Sequence, residues 1–230
     1  MHIQLKIIIE KKVTEGIYTN QIPSERQFME EYNISRSTVR EAITFLVREG
    51  ILEKRHGKGT FVSLKPIHDW LGNLSSTTET ILQMGMKPGA KLITHYMTTP
   101  SAYIQERTGF TEAYFIKRIR YADDIPIGVE HHYYPVAIGR ELINYDLDNA
   151  TLYDLVENEL GIRFAKADQT ISSGNLLNED KTYVDIPSGT HALIAERIIK
   201  DEADQIIELE QAFYRSDMYQ FKINLSRKFG

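Results

Sequence analysis

Residues 23–62 decide the fold of the N-terminal part of the chain, and they read PSERQFMEEYNISRSTVREAITFLVREGILEKRHGKGTFV. Ser24 and Ser35 each precede a stretch of helical apolar periodicity, and each serine can cap the free backbone N–H groups of a helix. Gly50 ends the second stretch, and a Gly-x-Gly segment at 57–59 separates two short β-prone runs. The pattern predicts two helices joined by a turn of about three residues and followed by a β-hairpin.

A further helix is expected before these elements, because Ile3, Ile7 and Ile8 form a helical stripe that stops near Gly16. Three helices followed by a basic hairpin form the layout of a winged helix-turn-helix. A recognition helix enters the major groove by its N-terminal turn, where arginine pairs with guanine and hydroxyl groups bind phosphates. The candidate DNA-binding residues at this turn and at the wing tip are Ser35, Arg36, Ser37, Thr38, Arg40, His56, Gly57 and Lys58.

Charge and composition distinguish the two parts of the chain. Residues 1–63 carry 10 Lys and Arg against 8 Asp and Glu, whereas the rest of the chain carries 17 against 24. A locally basic face on an acidic protein favours nucleic-acid binding, with a solvated surface as the alternative. The 230 residues include no cysteine, which excludes disulfides and thiolate zinc sites. No apolar run reaches the ~18 residues of a membrane span, so we expect a cytoplasmic protein without a membrane partner.

The C-terminal part of the sequence is rich in predicted strands. Strands are expected over 91–99, 114–122, 125–134 and 164–171, and then over 191–200, 205–215 and 219–225 as three successive antiparallel neighbours, with short helices over 78–84, 101–107, 151–160 and 176–183. Because strands outnumber helices and pair largely with their sequence neighbours, the fold class is predicted to be α+β, built on one antiparallel sheet. The predicted domains are 1–63 and 71–230, joined by a linker over 64–70.

Four segments of the first domain carry a resemblance to a known family: PSER at 23–26, SRSTVR at 35–40, REGIL at 48–52 and GKGTFV at 57–62. They resemble the winged DNA-binding domain of GntR-type bacterial transcription factors. The loop Thr19-Asn20-Gln21 departs from the family by being shorter. The resemblance implies a set of DNA contacts, with Arg26, Arg36 and Arg40 on the DNA, Ser35 on a phosphate, and His56 and Gly57 at the minor groove.

Four looser segments follow in the second domain: GMKPG at 85–89, RIR at 118–120 running into DIPI at 124–127, LYD at 152–154 and YRSD at 214–217. Residues 71–230 resemble the UTRA effector domain of the HutC-like branch, whose fold is similar to chorismate lyase. In branch members that sense amino-sugar phosphates, the resemblance implies a pocket lined by the positions matching Ser75, Arg118, Arg120, Glu130, Thr151, Tyr153, Glu208 and Tyr214.

The residue types agree with an anionic effector. Arg118 and Arg120 project from the same face of a predicted strand, so their guanidinium groups can converge on one phosphate or carboxylate. Ser75 and Ser76 precede a predicted helix, and Thr151 caps another, so their hydroxyl and backbone donors can reach the same anion.

Other side chains suit the body of such a ligand. Tyr153 lies beside the anion donors, and Glu130, Glu208 and Tyr214 can bind the hydroxyl or amide groups of a sugar. The alternative is a solvated face on which Glu130 or Glu208 simply pairs with the arginines across the sheet. No metal site is predicted, because His131 and His132 point to opposite faces of a strand and no carboxylate has a usual ligand spacing.

Three functions remain open for a chain of this organisation. They are an effector-responsive transcription factor, an enzyme on a chorismate-lyase-like fold, and a ligand-independent DNA-binding protein. No Ser-His-Asp order, metal motif or nucleotide-type glycine loop supports the enzyme. We expect a non-enzymatic repressor without a cofactor. It would bind a palindromic operator in double-stranded DNA as a homodimer and be released by a small phosphorylated metabolite, with a sugar phosphate or amino-sugar phosphate favoured.

Overall fold

The computed structural model describes residues 1–14, 17–18, 21–63, 66–176, 178–184 and 191–227. The chain divides into two compact units, Met1–Lys65 and Pro66–Gly230. Within the described ranges, no helix has both the length and the apolar character needed to cross a membrane.

Three helices and a hairpin make up the described part of the first unit: α1 (His2–Thr14), α2 (Glu25–Tyr32), α3 (Arg36–Arg48), β1 (Leu52–Arg55) and β2 (Gly59–Val62). Ser24 caps α2 in a reciprocal pair of hydrogen bonds with Gln27, and the hydroxyl of Ser35 caps α3. Gly50 follows α3 with a φ of 71°, a conformation that glycine adopts without a steric penalty. The order of elements predicted from the sequence is therefore confirmed.

An apolar core joins the helices and the hairpin of the first unit; its buried members include Leu5, Ile9, Phe28, Val39, Leu46 and Leu52. The chain just before α2 adds a contact that the sequence did not predict. Gln21 forms an antiparallel bridge with Phe61, and the backbone N–H of Ile22 donates to the carbonyl of Thr60 at 3.1 Å. The hairpin is therefore tied to the start of α2.

The second unit contains further strands and short helices: β3 (Ile67–Trp70), α4 (Thr77–Gln83), β4 (Pro88–Thr98), α5 (Ala102–Thr108), β5 (Ala113–Ala122), β6 (Ile125–Tyr134), α6 (Val136–Leu142), α7 (Leu152–Asp154), which continues as a π-helical turn over Leu155–Glu159, β7 (Lys166–Gly174), β8 (Ala192–Lys200), β9 (Ile206–Arg215) and β10 (Tyr219–Lys222).

Six of these strands form one antiparallel sheet in the order β4-β5-β6-β9-β8-β7, as the α+β prediction requires. Asp123 and Asp124 join β5 to β6 with φ values of 48° and 64°, which is the two-residue turn that suits the twist of a hairpin. Apolar residues of α6 and α7 pack on one face of the sheet, and Ile104 of α5 packs on the other. Side chains at alternate positions of β5 and β6 therefore face different surroundings.

Strand β3 replaces part of the predicted linker. It pairs in parallel with β10 in a separate two-stranded sheet, so β10 is not the third antiparallel neighbour that the sequence predicted. Tyr219 donates a hydrogen bond to Asp69 at 2.9 Å, and both side chains are buried. This pairing joins residues about 150 positions apart, and local periodicity carries no information about such a distance.

Two predictions about helices in the second unit also need correction. The described residues of 176–183 form only a 3₁₀ turn at Asp180–Thr182 instead of a helix, because Lys117 binds the Asp180 carboxylate from the sheet at 2.9 Å. Helix α6 was not predicted, because Gly139 weakens its helical signal; a Cβ at this glycine would lie 2.1 Å from Cβ of Tyr114. The predicted end of the first helix near Gly16 and the loop residues at 19–20 lie outside the described ranges.

Candidate nucleic-acid interface and ligand-binding pocket

The N-terminal turn of α3 presents polar side chains to solvent. Ser35, Arg36, Ser37 and Arg40 are exposed, and Thr38 is half-buried. The Ser35 hydroxyl accepts from the Thr38 backbone N–H at 3.3 Å and lies within hydrogen-bond distance of the hydroxyls of Ser37 and Thr38. Ser35 is therefore held by helix capping in the free protein, whereas both arginines extend outwards.

One carboxylate brings the two arginines of α3 together. Glu25 lies 3.1 Å from Nε of Arg36 and 3.7 Å from Nε of Arg40, while Arg26 pairs loosely with Glu30 at 3.6 Å. Exposed ion pairs of this kind contribute about 0–1 kcal/mol, so a DNA phosphate or base can replace the carboxylate at little cost. All three predicted arginines are available for contact with DNA.

The tip of the hairpin consists of exposed residues that a DNA backbone can approach closely. His56, Gly57 and Lys58 are exposed. Gly59 has a φ of 123°, and a Cβ at this position would lie 2.5 Å from Nε2 of Gln21, which donates to the carbonyl of Lys58. A larger residue at 59 would therefore strain the tip.

The second unit has a small cavity above the middle of its sheet, which we call the arginine cavity. Arg118 and Arg120 of β5 and Glu130 of β6 form its floor, and each is at most 3% exposed. Glu130 lies 3.6 Å from Nη2 of Arg118 and 3.5 Å from Nε of Arg120. The cavity has a volume of about 20 Å³, which is room for about one water molecule. Its lining residues are Ser76, Thr77, Thr78, Arg118, Arg120, Glu130, His132, Thr151, Leu152, Tyr153, Arg197 and Glu210.

The first turn of α4 forms one wall of the arginine cavity. The hydroxyl of Ser76 is held by Glu79 in a capping box, so the adjacent threonines make the contacts with the floor. Thr77 donates to Glu130 at 2.7 Å, and Thr78 accepts from Nη2 of Arg120 at 2.7 Å. Neither threonine was among the predicted site residues, although both belong to the polar run before the helix.

Arg197 of β8 connects several of the predicted residues. Its Nη1 atom donates to the carbonyl of Ser75 at 2.9 Å and to the hydroxyl of Tyr153 at 2.8 Å. Ser75 therefore faces this arginine through its carbonyl and is not a lining residue. Thr151 lines the cavity, and its hydroxyl makes no capping hydrogen bond, so it is free to bind a ligand.

Glu208 and Tyr214 lie behind the lining residues. Oε1 of Glu208 lies within hydrogen-bond distance of Nδ1 of His132, at 2.6 Å. His132 and Glu210 line the cavity, whereas Glu208 does not. The Tyr214 ring stacks on Tyr219 with centroids 3.8 Å apart, and its hydroxyl lies 2.9 Å from that of Thr77. Both predicted residues therefore support the site from one layer further back.

The sequence analysis did not include His132, Arg197 and Glu210 among the site residues. His132 lies two residues after Glu130 on the same strand, and the sheet register places it opposite Glu210, which is opposite Arg197. A two-residue period from Glu130 would have found His132; the other two depend on the pairing of distant strands.

A metal ion is the alternative ligand for part of this cluster. Glu130, His132 and Glu210 each offer a ligand atom, and these atoms lie within 4.8 Å of one another. The sequence had indicated no carboxylate at a usual metal-ligand spacing from His132. Arg118 and Arg120 already pair with Glu130, so their positive charge opposes a cation at this position. The donor set therefore fits an anion better than a metal ion.

Burial and mutual contacts shift the titration of the cavity residues. Burial raises the pKa of Glu210 to about 7, with the charge of Glu130 as a second cause. Burial opposes protonation of His132, but its contacts with Glu130 and Glu208 raise its pKa to about 9. Burial likewise opposes ionisation of Glu130, yet Arg120, His132 and Arg118 hold its pKa well below its ordinary value. The cluster thus holds three guanidinium groups, an imidazolium and three carboxylates: Arg118, Arg120 and Arg197, His132, and Glu130, Glu208 and Glu210. The Glu210 carboxylate is partly protonated at neutral pH.

Two buried donors of the cavity floor have no hydrogen-bond partner in the described part of the chain. They are the Nε atoms of Arg118 and Arg120, of which the second lies 3.5 Å from the Glu130 carboxylate without a hydrogen bond. Leaving a buried charged donor unsatisfied costs more than about 1–3 kcal/mol, so Nε of Arg118 above all favours an acceptor that enters from outside. A phosphate or carboxylate satisfies this requirement.

Comparisons with known proteins agree with both units. The model of the gntR family of bacterial regulatory proteins matches residues 4–62, and that of the UTRA domain matches residues 83–220. The HTH-type transcriptional repressor NagR of Bacillus subtilis (strain 168) is 32% identical over 203 residues, which cover 87% of this chain and 83% of that protein. A probable fructoselysine utilization operon transcriptional repressor of Escherichia coli (strain K12) is 23% identical, over 94% of this chain and 90% of that protein.

Solved structures show the same fold. PhnF from Mycobacterium smegmatis superposes with a TM-score of 0.67 at 24% identity, over 95% of this chain and 97% of that chain. One family assignment follows from both family models and from the relative at 32% identity, and the helix-turn-helix and the antiparallel sheet agree with it. The chain belongs to the GntR family of bacterial transcriptional regulators, in the HutC-like branch whose members carry a UTRA domain, and it is a DNA-binding regulator rather than an enzyme.

Proposed function

We propose that the protein is a repressor that binds an inverted-repeat operator as a homodimer and leaves it when a phosphorylated sugar enters the arginine cavity. The observation that carries the proposal is the pair of buried guanidinium groups of Arg118 and Arg120: Nε of Arg118 has no hydrogen-bond partner in the described chain, and Nε of Arg120 has only the Glu130 carboxylate at 3.5 Å. A phosphate presents three terminal oxygens, which two arginines and nearby hydroxyl groups can satisfy.

The surroundings of the arginine pair select the rest of the ligand. Glu210 and Tyr153 line the cavity and offer acceptor and donor groups of the kind that bind sugar hydroxyl or amino groups. The net charge of the cluster is positive, because three arginines and His132 outweigh three carboxylates, one of them with a pKa of about 7. A dianionic phosphate on a neutral or aminated sugar body matches this balance.

Residues of the first unit supply the DNA contacts of the proposal. Arg36 and Arg40 would read base edges from α3, Arg26 would contact the DNA beside them, and Lys58 would bind phosphates from the hairpin tip. A single winged helix-turn-helix covers one half-site. A two-fold dimer therefore matches an inverted repeat, as in other helix-turn-helix proteins.

Release requires that the ligand binds better to a state that does not fit the operator. In the structure the α4 threonines occupy the polar groups of the cavity floor, with Thr78 on Arg120 and Thr77 on Glu130. A phosphate on Arg120 would compete with Thr78 and displace the start of α4. Because α4 follows β3 by only six residues, this displacement would act on the chain that leads from the first unit. By reciprocity, operator DNA must weaken ligand binding by the same factor.

The test combines DNA binding with ligand titration. An inverted-repeat DNA duplex that the full chain binds is first selected in vitro and labelled. The protein is then saturated with this labelled duplex. Glucosamine 6-phosphate, N-acetylglucosamine 6-phosphate and glucose 6-phosphate are then titrated, with the unphosphorylated sugars as matched controls. We expect at least one phosphate to release the DNA and, at 100 times its Kd, to stabilise the protein by about 2.7 kcal/mol. Release by the unphosphorylated sugars alone, or by none of the six compounds, would contradict the proposal.

A further inference from the structure

A second opening, larger than the arginine cavity, lies beside it on the same face of the sheet. The chain after β3 forms one side and edge strand β7 the other, and we call it the Trp70 cleft; its lining includes Trp70, Leu71, Leu74, Gln169, Ile171 and Arg197. Its volume is about 430 Å³, compared with about 20 Å³ for the arginine cavity. Ligand sites usually measure about 300–1,000 Å³, so the cleft has room for a second chemical group.

Arg197 belongs to the walls of both openings. On the side of the arginine cavity, its Nη1 atom donates to Tyr153 and to the Ser75 carbonyl. On the side of the cleft, its Nε atom donates to Oε1 of Gln169 at 2.6 Å. A ligand that extends from one opening into the other must therefore pass the guanidinium group of Arg197.

The cleft presents apolar surface with one unused donor. Trp70 is 49% exposed and Ile171 is 38% exposed, which is unusual for large apolar side chains that line a concave surface. Nε2 of Gln169 is buried and has no hydrogen-bond partner among the residues that the structure describes. An exposed indole beside an amide donor suits a ring that stacks on the one and offers an oxygen to the other.

Charged groups at the cleft already have partners. Asp69 is buried and accepts a hydrogen bond from Tyr219, and Arg197 lies 3.9 Å from Glu210. Lys222 is not a lining residue; its Nζ atom lies 5.9 Å from the centroid of the Trp70 ring and 3.0 Å from Nδ1 of His68. Among the described residues that line the cleft, Arg197 is the only lysine or arginine, and it is shared with the arginine cavity, so the occupant is expected to be uncharged.

We propose that the Trp70 cleft is a second subsite for the effector and takes a neutral glycosyl or aryl group attached to the phosphorylated sugar. The inference rests on the proposed function, since the phosphate in the arginine cavity fixes the other end of the ligand. A phosphorylated glycoside is then the preferred effector, and the bare monosaccharide phosphate binds the same site more weakly.

Calorimetry on the full chain with two matched pairs of probes tests the subsite. The first pair is glucose 6-phosphate and its p-nitrophenyl β-glycoside, and the second is N-acetylglucosamine 6-phosphate and chitobiose 6′-phosphate. In at least one pair the extended probe should bind about tenfold tighter, which equals about 1.4 kcal/mol. Trp70→Ala and Ile171→Ala should reduce this advantage to less than about threefold and leave the Kd of the bare phosphate within about twofold, because neither residue lines the arginine cavity.

Leu82→Ala is the control, because Leu82 is 56% exposed and does not line the cleft. Equal affinity of the extended and bare probes in both pairs would overturn the subsite and leave the proposed function standing. Equal weakening of both members of a pair by Trp70→Ala and Ile171→Ala would do the same. Failure of all four probes to bind would overturn both proposals.

Discussion

Arg120→Met should destabilise the second unit through the charge that it leaves behind. The substitution keeps an unbranched side chain of similar length but removes the guanidinium group, which lies 3.5 Å from Glu130 and 2.7 Å from the Thr78 hydroxyl. Glu130 is only 2% exposed and would retain Arg118 at 3.6 Å and His132 at 3.3 Å. Removing one partner of a buried ion pair costs about 3–5 kcal/mol, and with two cations remaining we expect the lower end, about 3 kcal/mol.

A second substitution separates this charge effect from lost packing. Arg120→Lys has a side chain of similar length and keeps a positive charge beside Glu130, so Glu130 is not left with one cation fewer. It should therefore be more stable than Arg120→Met by at least about 1 kcal/mol. Arg120→Met should also fail to bind sugar phosphates, because the proposed anion site has lost one of its two arginines.

Trp70 provides a specific assay for this prediction. It is the only tryptophan of the chain and lies in the second unit, so its fluorescence during urea unfolding reports on that unit. Arg163→Met is the control, since Arg163 lies 3.9 Å from Glu202 and both side chains are more than 70% exposed; it should change stability by less than about 0.5 kcal/mol. If Arg120→Met unfolds at the wild-type urea concentration, or if Arg120→Lys is no more stable than Arg120→Met, the electrostatic reasoning is wrong.

Three further outcomes are expected. Arg36→Ala should weaken binding to the selected operator by about 1–3 kcal/mol and relax its base preference, whereas Lys58→Ala should weaken all DNA sequences alike and reduce the salt dependence; identical effects of both in a competition assay would contradict the assignment. The pKa of His132 is raised from 6.5 to about 9, so the stability that its protonated ring adds to the folded state is complete below pH 6.5 and is lost as the pH rises through 9. The urea concentration at the unfolding midpoint should therefore fall between pH 7 and 9.5 in the wild type, and it should fall less in His132→Gln. Sedimentation of the full chain at micromolar concentration should give twice the monomer mass of 26.5 kDa, and a single monomeric species would exclude the proposed dimer.

The elements that the sequence predicted correctly depend on neighbouring residues. Ser24 and Ser35 cap helices because their hydroxyl groups reach backbone N–H groups three residues on. Asp123 and Asp124 form the hairpin turn between two strands that pair with each other. Arg118 and Arg120 share a face because side chains alternate along a strand. None of these inferences requires knowledge of the rest of the fold.

The features that the sequence missed depend on distant pairings. Strand β3 exists because β10, which begins about 150 residues later, supplies its partner. Glu210 replaces Glu208 in the cavity wall because of the register of β9 against β6, where His132 lies opposite Glu210. Both glutamates lie on the same face of β9, so alternation alone could not decide which of them lines the cavity.

The buried charges themselves help to select that register. In the observed pairing Arg118 lies opposite Glu130, and His132 lies opposite Glu210. A slip of one residue would turn every side chain of a strand to the other face, and the apolar pattern excludes it. A slip of two residues would keep the faces. In one direction it would place Arg118 opposite Gly128 and Glu130 opposite Ile116, so that the carboxylate loses its arginine. In the other direction Arg120 would lie opposite Glu130, but Arg118 would lie opposite His132, another cation. We infer that the buried charges of the arginine cavity also penalise the slips that the apolar pattern alone does not exclude.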